Sequence, residues 1–404
     1  MMFETALSIE AGLSANPAFG GFTALRPDRL DDRVRAYRAG DDPDLDLLVA
    51  DLVARAGQAL DRGPHSVIHK TETPPSGDKR DYLHPAPYYW PNPDTPDGLP
   101  HIRQDGRRVP GTVLYGAQHE RYDRTRLQRL FDDSFVLCLA WFFAPHDAYL
   151  GHAARMLETF FVDPATAMRP HLRYAQIRHG HNGDVGVASG LIEFKDVFYY
   201  LDAVRVLAAT GALENRTLDA FNDWLARYLE WLLGSEQGRG ECQSLNNHGV
   251  YFDLQVAAIA AFLRWNDVLE DTFDRAKLRL AMHFTPDGEQ PRELARTETA
   301  HYCCFNLQGW IDLAELSGRY GEDLWMYWAP SGANLAVAAD WLLARAGRSW
   351  GFRQTQPFEA ERILPIWEAA EERLDPAPER PIGLPRLLRA KPMMSQGIRP
   401  FWQI

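Results

Sequence analysis

The feature that most constrains this chain is a series of amphipathic helical patterns between about residues 123 and 346. Apolar residues recur there at three- and four-residue steps, whereas the alternation typical of strands is almost absent. Gly, Pro or Asn marks the ends of the segments. The pattern predicts helices over residues 127–143, 148–161, 191–209, 217–233, 250–265, 273–284, 302–316 and 333–346.

Many sequential helices of similar length, joined by short turns, predict an all-α fold. An α/α toroid, in which paired helices form inner and outer rings, accounts for this pattern as one domain spanning residues 1–404. A helical solenoid is the competing architecture, but the sequence has no fixed-period repeat to support it.

A proline-rich stretch, residues 69–110, has a different character from the helical part of the chain. Proline blocks helix and removes backbone donors, so this stretch predicts a long ordered arm or lid loop. It is also dense in aromatic and basic residues. One interpretation is a strap of rings that covers an apolar surface. The other is a wall of a saccharide cleft, where rings face sugars and cations meet carboxylates.

Composition narrows the classes of partner. A net charge of −12 argues against nucleic acid as a binding partner. No apolar run approaches the length that is needed to span a membrane. The first ten residues lack a basic segment followed by an apolar one, so no signal peptide is expected in the chain as written. A chain from which a signal had been removed would look the same, so a periplasmic or secreted location stays open. The oligomeric state is left open too.

No metal or cofactor is expected. Cys138, Cys242, Cys303 and Cys304 have no metal-site spacing, so we predict four buried thiols. The His179-Gly180-His181 sequence resembles a metal-binding pair, but no third ligand is evident nearby and a polar loop is the simpler interpretation.

Asn246-Asn247-His248-Gly249 opens the predicted helix 250–265. Asparagine is favoured at helix starts, because its side-chain oxygen accepts an otherwise unpaired backbone N–H, so one of the two is predicted to be the N-cap. Capping does not account for all four residues together. A helix start that carries amide donors and an imidazole is suited to binding an anion.

Four stretches, taken in order, resemble one known group. They are Pro75-Ser76-Gly77-Asp78-Lys79-Arg80-Asp81-Tyr82 with Pro87-Tyr88-Tyr89-Trp90-Pro91, Asn246-Asn247-His248-Gly249, Pro286-Asp287-Gly288 with Glu293-Leu294-Ala295-Arg296-Thr297, and His301-Tyr302. Over about residues 65–330 the chain resembles the alginate lyase superfamily, most closely polysaccharide lyase family 38 and more distantly family 5. The resemblance implies an α/α toroid and β-elimination of a uronic-acid polymer.

The resemblance also implies site residues. Position 80 is Arg where relatives often have His, so no role is carried over to it. The catalytic residues implied are Asn247, His248, Arg296 and Tyr302, and those expected to bind substrate are Lys79, Tyr82, Tyr89, Trp90 and His301.

Eliminating a 4-linked uronate requires removal of the C5 proton and expulsion of the C4 oxygen. Asn247, His248 and Arg296 would neutralise the carboxylate, so that charge can build beside it. Tyr302 would take the C5 proton and return it to the leaving oxygen, since both lie on one face of β-linked glucuronate or mannuronate. Guluronate has the opposite C5 configuration and needs groups on two faces. The expected substrate is therefore an anionic β-1,4-polyuronate, glucuronan first and mannuronate-rich alginate second.

Two other functions stay open on the sequence. Asp184, Glu193 and Asp196 could be the paired carboxylates of a glycoside hydrolase on the same architecture, although Glu193 and Asp196 are predicted to be ordinary solvated charges on a helix flank. The second alternative is a non-catalytic carbohydrate-binding toroid.

Overall fold

The computed structural model describes residues 19–104, 107–346, 350–381 and 398–404. The chain divides into two compact units, Met1–Gly21 with Leu52–Glu241 and Phe22–Asp51 with Cys242–Ile404. The single-domain organisation therefore stays a prediction. The first ten residues, on which the expectation about a signal peptide depends, lie outside the described residues.

The first unit is mainly helical, and α3 is the helix around which it packs. This helix contacts both α4 and α5 and buries most of its side chains, as expected for a helix that is apolar on several faces. The helices of the unit are the later part of α2 (Pro43–Leu60), α3 (Arg124–Phe143), α4 (Asp147–Leu157), α5 (Val197–Ala209), α6 (Asn215–Gly234) and α7 (Glu236–Cys242), which ends at the unit boundary.

Two predicted helices are interrupted. The segment predicted over 148–161 is α4 followed by a π-helical turn, Glu158–Val162. The segment predicted over 191–209 is a 3-10 turn, Ala188–Phe194, followed by α5. Between this 3-10 turn and α5, Lys195 and Asp196 form a buried ion pair at 2.5 Å. Apolar spacing continues across both interruptions, so hydrophobic periodicity alone does not reveal them.

The predicted arm is ordered over its described residues and contains short strands that the sequence did not indicate. Strands β1 (Leu83–Pro85) and β4 (Tyr174–Ile177) pair in parallel, and β2 (Tyr89–Trp90) pairs antiparallel to β3 (Ile102–Arg103). Strands of two to four residues are too short to show a recognisable alternation of apolar and polar residues.

The second unit is built on α8 (Asn247–Leu263), which packs against both α9 and α11. Every residue of α8 from Gly249 to Ala261 is buried, so this helix is covered on all sides and is mainly apolar, with Asp253 and Gln255 as buried polar residues. The other helices of the unit are α1 (Pro27–Ala39), the earlier part of α2, α9 (Asn266–His283), α10 (Pro291–Leu294), α11 (Thr299–Gly318), α12 (Leu335–Leu343) and α13 (Leu364–Arg373).

Three of the four predicted buried thiols are buried: Cys138, Cys303 and Cys304. Cys242 is only partly buried, because it ends α7 just before a turn, so that prediction is wrong for this residue. Across the described part of the chain, no helix is both long and apolar enough to cross a bilayer.

Candidate active site

The start of α8 confirms the capping prediction and separates the two asparagines. Asn246 is the N-cap, and its side-chain oxygen accepts a hydrogen bond from the backbone N–H of His248 at 3.2 Å. Asn247 is the first helical residue and is buried, with 1% of its surface exposed. Its side chain is therefore available for a second task.

That second task involves Glu293, a buried residue of the short helix α10. The backbone N–H of Asn247 donates to Glu293 Oε1 at 2.7 Å, and Asn247 Nδ2 lies 3.0 Å from Oε1 and 2.9 Å from Oε2. Burial raises the pKa of Glu293, while the hydrogen bonds from Asn247 and the charges of Arg296 and His248 oppose that rise. Glu293 lies within one of the family-like motifs, but no sequence signal assigned it a role.

Arg296 and Tyr302 are also brought together. The guanidinium of Arg296 lies over the Tyr302 ring, with Cζ 3.8 Å from the ring centroid, in a cation–π contact. Tyr302 belongs to the first turns of α11 and is half-buried. The two residues are six positions apart in the sequence, so a loop and a helix start are needed to stack them.

His301 sits beside Tyr302 on the same helix. Its ring stacks on Phe305 with centroids 6.1 Å apart and meets the Tyr302 ring edge-on at 5.1 Å. Burial, together with the charges of Arg362 and Arg296, lowers the pKa of His301 to about 4. At neutral pH this imidazole is uncharged, so it can offer a hydrogen bond to a sugar but no charge to a carboxylate.

A buried arginine fixes the turn that leads into α8. Arg279 donates to the carbonyl oxygens of Ser244 and Cys242 at 2.7 Å each, and its Nε donates to Asp253 at 2.6 Å. Gly249 makes room for it, because a Cβ there would lie 2.1 Å from Arg279 Nη1. The glycine of the motif is thus required for close packing rather than for flexibility.

In the first unit, Tyr82 has no exposed surface, which corrects the expectation that it contacts substrate directly. Its hydroxyl donates to Glu193 Oε2 at 2.6 Å, and His84 Nδ1 lies 2.6 Å from Glu193 Oε1. Burial alone would raise the pKa of Glu193, but His84, Arg124 and Tyr82 hold it below its ordinary value. Tyr82 therefore helps to hold a buried carboxylate.

The burial of this region also corrects the interpretation of Glu193 and Asp196 as solvated charges. Glu193 is 4% exposed and Asp196 is 1% exposed. Both are held by neighbouring side chains, since Asp196 pairs with Lys195. Helical spacing places a residue on a flank but does not reveal which other elements cover that flank.

The other predicted substrate-binding residues of this unit are half-buried, and the two aromatic ones lie beside cations. Arg178 lies over the Tyr89 ring at 4.5 Å, and Arg107 lies over the Trp90 ring at 3.9 Å. The Lys79 ammonium donates to the Lys70 carbonyl oxygen at 2.8 Å.

The His179/His181 loop makes ordinary loop contacts. His181 Nε2 lies 2.7 Å from the His101 carbonyl oxygen, and His179 Nδ1 lies 3.7 Å from Asp184. Among residues 19–104, 107–346, 350–381 and 398–404, no group of three or more His, Cys, Asp or Glu side chains is arranged to hold a metal ion. The absence of a metal from the reaction stays a prediction.

The sequence pattern of the alginate lyase family matches residues 66–349, a range that contains every predicted site residue. The chain belongs to this family. Its resemblance to the superfamily is thereby confirmed, and the family assignment makes it a polysaccharide lyase. No curated protein sequence matches the chain significantly.

Among solved structures, this family member is similar to an alginate lyase from Bacteroides ovatus. The identity is 30%, the match covers 85% of this chain and 90% of that one, and the TM-score is 0.78. This match supports the predicted all-α fold class, the α/α toroid.

Two further structures are more distant. Alginate lyase A1-III from a Sphingomonas species is 15% identical over 83% of this chain and 80% of that one, with a TM-score of 0.47. A variant of alginate lyase A1-III complexed with a tetrasaccharide is 14% identical over 83% of this chain and 79% of that one, with a TM-score of 0.49. The family assignment does not depend on either of them.

Proposed function

We propose that the protein cleaves a β-1,4-linked polyuronate by syn β-elimination and leaves a 4,5-unsaturated uronate at the new end. The supporting observation is the proximity of four groups in the second unit, through hydrogen bonds, a ring contact and electrostatic influence. Asn247 binds Glu293, His248 and Arg296 act on the charge of Glu293, and Arg296 stacks on Tyr302. The four catalytic residues implied by the family resemblance thus belong to one cluster.

Asn247, His248 and Arg296 are proposed to neutralise the uronate carboxylate. A proton α to a carboxylate is very weakly acidic, because its removal places a second negative charge beside the first. Donors already fixed in place stabilise that charge without having to reorganise during the reaction. Loss of one such donor typically costs about 3 kcal/mol of transition-state stabilisation, so Arg296→Ala should lose most turnover.

Tyr302 is proposed to act as both base and acid. A phenol that has lost its proton can accept the C5 proton and then return it to the leaving O4 on the same face of the ring. An unperturbed tyrosine titrates at about pH 10, so the base form requires nearby positive charge. Arg296, 3.8 Å from the ring centroid, supplies that charge.

In the first unit, the half-buried rings of Tyr89 and Trp90 are proposed to bind saccharide, with Lys79 as a further contact. In the second unit, His301 is proposed to bind saccharide. Flat rings pair with the apolar faces of sugars, and the adjacent Arg178 and Arg107 would favour an anionic chain. Tyr82, which is buried, is proposed to act indirectly, by holding Glu193.

The polymer is proposed to be mannuronate-rich alginate or glucuronan. Both place the C5 proton and O4 on one face, as the single tyrosine requires. The Bacteroides ovatus protein, an alginate lyase by name, moves alginate ahead of glucuronan, which the sequence alone had placed first.

The test is the ultraviolet absorbance of the new C4–C5 double bond, conjugated with the carboxylate. Polymannuronate, glucuronan and polyguluronate are supplied separately, each with and without a chelator. We expect a rise with polymannuronate or glucuronan that the chelator does not change, and no rise in the matched Tyr302→Phe variant. Reducing ends without absorbance would instead indicate a hydrolase. Binding without either product would indicate a carbohydrate-binding protein.

A further inference from the structure

We propose that Gln290 is a positioning residue that holds Arg296 over the ring of Tyr302. The proposal rests on the lyase function above and adds to it a residue that acts only through others. Gln290 has no exposed surface and lies six positions before Arg296 in the sequence. Its effect on the reaction is exerted through the Arg296 guanidinium, on which the base form of Tyr302 depends.

The side chain of Gln290 is bonded to α11, the helix that carries Tyr302. Its Nε2 donates to the Cys303 carbonyl oxygen at 3.2 Å, and its Oε1 accepts from Asn306 Nδ2 at 2.9 Å. Both partners belong to α11, and Cys303 directly follows Tyr302. The two hydrogen bonds therefore fix the start of α10 against the turn of α11 that carries the proposed base.

The backbone transmits this fixed position to Arg296. Gln290 precedes the first residue of α10, and its carbonyl oxygen accepts from the backbone N–H groups of Glu293 and Leu294 at 3.0 and 2.9 Å. The Glu293 carbonyl oxygen accepts in turn from the backbone N–H of Arg296 at 3.1 Å. The other end of the segment is the guanidinium, 3.8 Å from the centroid of the Tyr302 ring. The segment is thus held against α11 at both ends.

A buried histidine sets the orientation of the Asn306 amide. The Trp310 indole N–H donates to His283 Nδ1 at 3.1 Å, so the hydrogen of the neutral ring is on Nε2. Burial and the charge of Arg279 lower the pKa of His283 to about 3, so the ring is neutral in the working range. Asn306 opposes that lowering, as an amide oxygen beside a ring N–H does. With Oδ1 toward the ring, Nδ2 is left to donate to Gln290.

The hydrogen bonds of Gln290 supply direction rather than mere space filling. Burial of an amide costs desolvation, which its two hydrogen bonds offset, and an apolar side chain of the same shape would fill the space equally well. Hydrogen bonds in addition fix distance and angle. The effect of a cation on a phenolate falls as the two separate, so a displaced Arg296 would stabilise the base form of Tyr302 less.

The test removes both hydrogen bonds and keeps the shape of the side chain. Gln290→Met should lower kcat about 10- to 100-fold, as expected when a reacting group is displaced by a fraction of an ångström to an ångström. The rise of kcat/KM with pH, followed by ultraviolet absorbance, should move upward by at least about one pH unit, because a cation near the base is displaced. A role in stability alone would leave the position of that rise unchanged.

Gln255→Met is the matched control. Gln255 is equally buried and donates to the Tyr251 carbonyl oxygen at 3.2 Å, but it lies in the middle of α8. This control should keep the wild-type kcat and pH dependence.

Two further variants separate hydrogen bonding from side-chain shape. Gln290→Glu should recover at least about tenfold of the turnover lost in Gln290→Met at neutral pH. Burial favours the protonated carboxyl, which retains one donor and one acceptor. Gln290→Asn is polar but one methylene shorter, so it should behave like Gln290→Met and takes its place if that variant does not fold.

The outcomes distinguish the two proposals. If the wild type forms no unsaturated product from any polyuronate, the proposed function fails. If the wild type is active, and Gln290→Met or Gln290→Asn folds and keeps the wild-type kcat and pH dependence, only the positioning role fails. A loss of kcat with an unchanged pH dependence, or without recovery in Gln290→Glu, would likewise overturn it.

Discussion

Gly249→Ala should destabilise the protein, although the same substitution within a helix is ordinarily favourable. The added Cβ would lie 2.1 Å from Arg279 Nη1 and 2.3 Å from the Ser244 carbonyl oxygen. Both distances are far below van der Waals contact. Arg279 must therefore shift away from its buried position, and the backbone at Ser244 must move as well.

The expected cost follows from the bonds that Arg279 makes. Moving the guanidinium weakens its hydrogen bonds to the Ser244 and Cys242 carbonyl oxygens. Hydrogen bonds to charged groups contribute about 1.5–3 kcal/mol each, so two of them amount to about 3–6 kcal/mol. The better helix propensity of alanine returns about 1 kcal/mol. A net loss of about 2–5 kcal/mol corresponds to a fall in Tm of roughly 5–15 °C.

The assay is thermal unfolding monitored by circular dichroism, together with the absorbance assay for turnover. Gly318→Ala is the matched control in the same unit, because the nearest neighbour of its added Cβ would be Arg373 Nη2 at 4.0 Å. We expect the control to melt at or slightly above the wild-type temperature, and Gly249→Ala to lose turnover together with stability. A Gly249→Ala protein with wild-type Tm and turnover would refute the packing argument.

Three other perturbations probe the described contacts. Tyr302→Phe should abolish turnover and leave binding of oligosaccharide largely intact by calorimetry; activity near wild type would remove Tyr302 from the mechanism. Glu193→Gln should lower the free energy of unfolding by about 1–3 kcal/mol in denaturant titrations, because one amide oxygen cannot replace the carboxylate held by Tyr82 and His84. Burial lowers the pKa of His283 from 6.5 to about 3. Between these two pH values the unfolded chain binds a proton on this residue that the folded chain does not. The free energy of unfolding should therefore fall on acidification by about 1.4 kcal/mol per pH unit from His283. His283→Gln should reduce the slope of Tm against pH. An unchanged slope would contradict the buried, neutral histidine.

The helical class of the protein, and the places where its chemistry concentrates, could be predicted from the residue order alone. Rules that depend only on neighbouring residues were sufficient for these predictions. Apolar spacing reports the buried face of a helix, and asparagine is favoured at a helix start. Asn246 became the N-cap for this reason. The family motifs, which no local rule interprets, supplied the expected roles of Arg296 and Tyr302.

Which groups share an environment emerged only from the folded chain. Glu293 and Asn247 are far apart in the sequence and bond directly, and Glu193 is buried although its helical position suggested solvent. Gly249 is explained by the close approach of Arg279, a residue of the next helix, and of the Ser244 carbonyl oxygen. Burial, hydrogen bonding and close approach are properties of pairs of distant residues, whereas sequence patterns report one segment at a time. That is the physical reason why the sequence could indicate the site but not its supporting carboxylate.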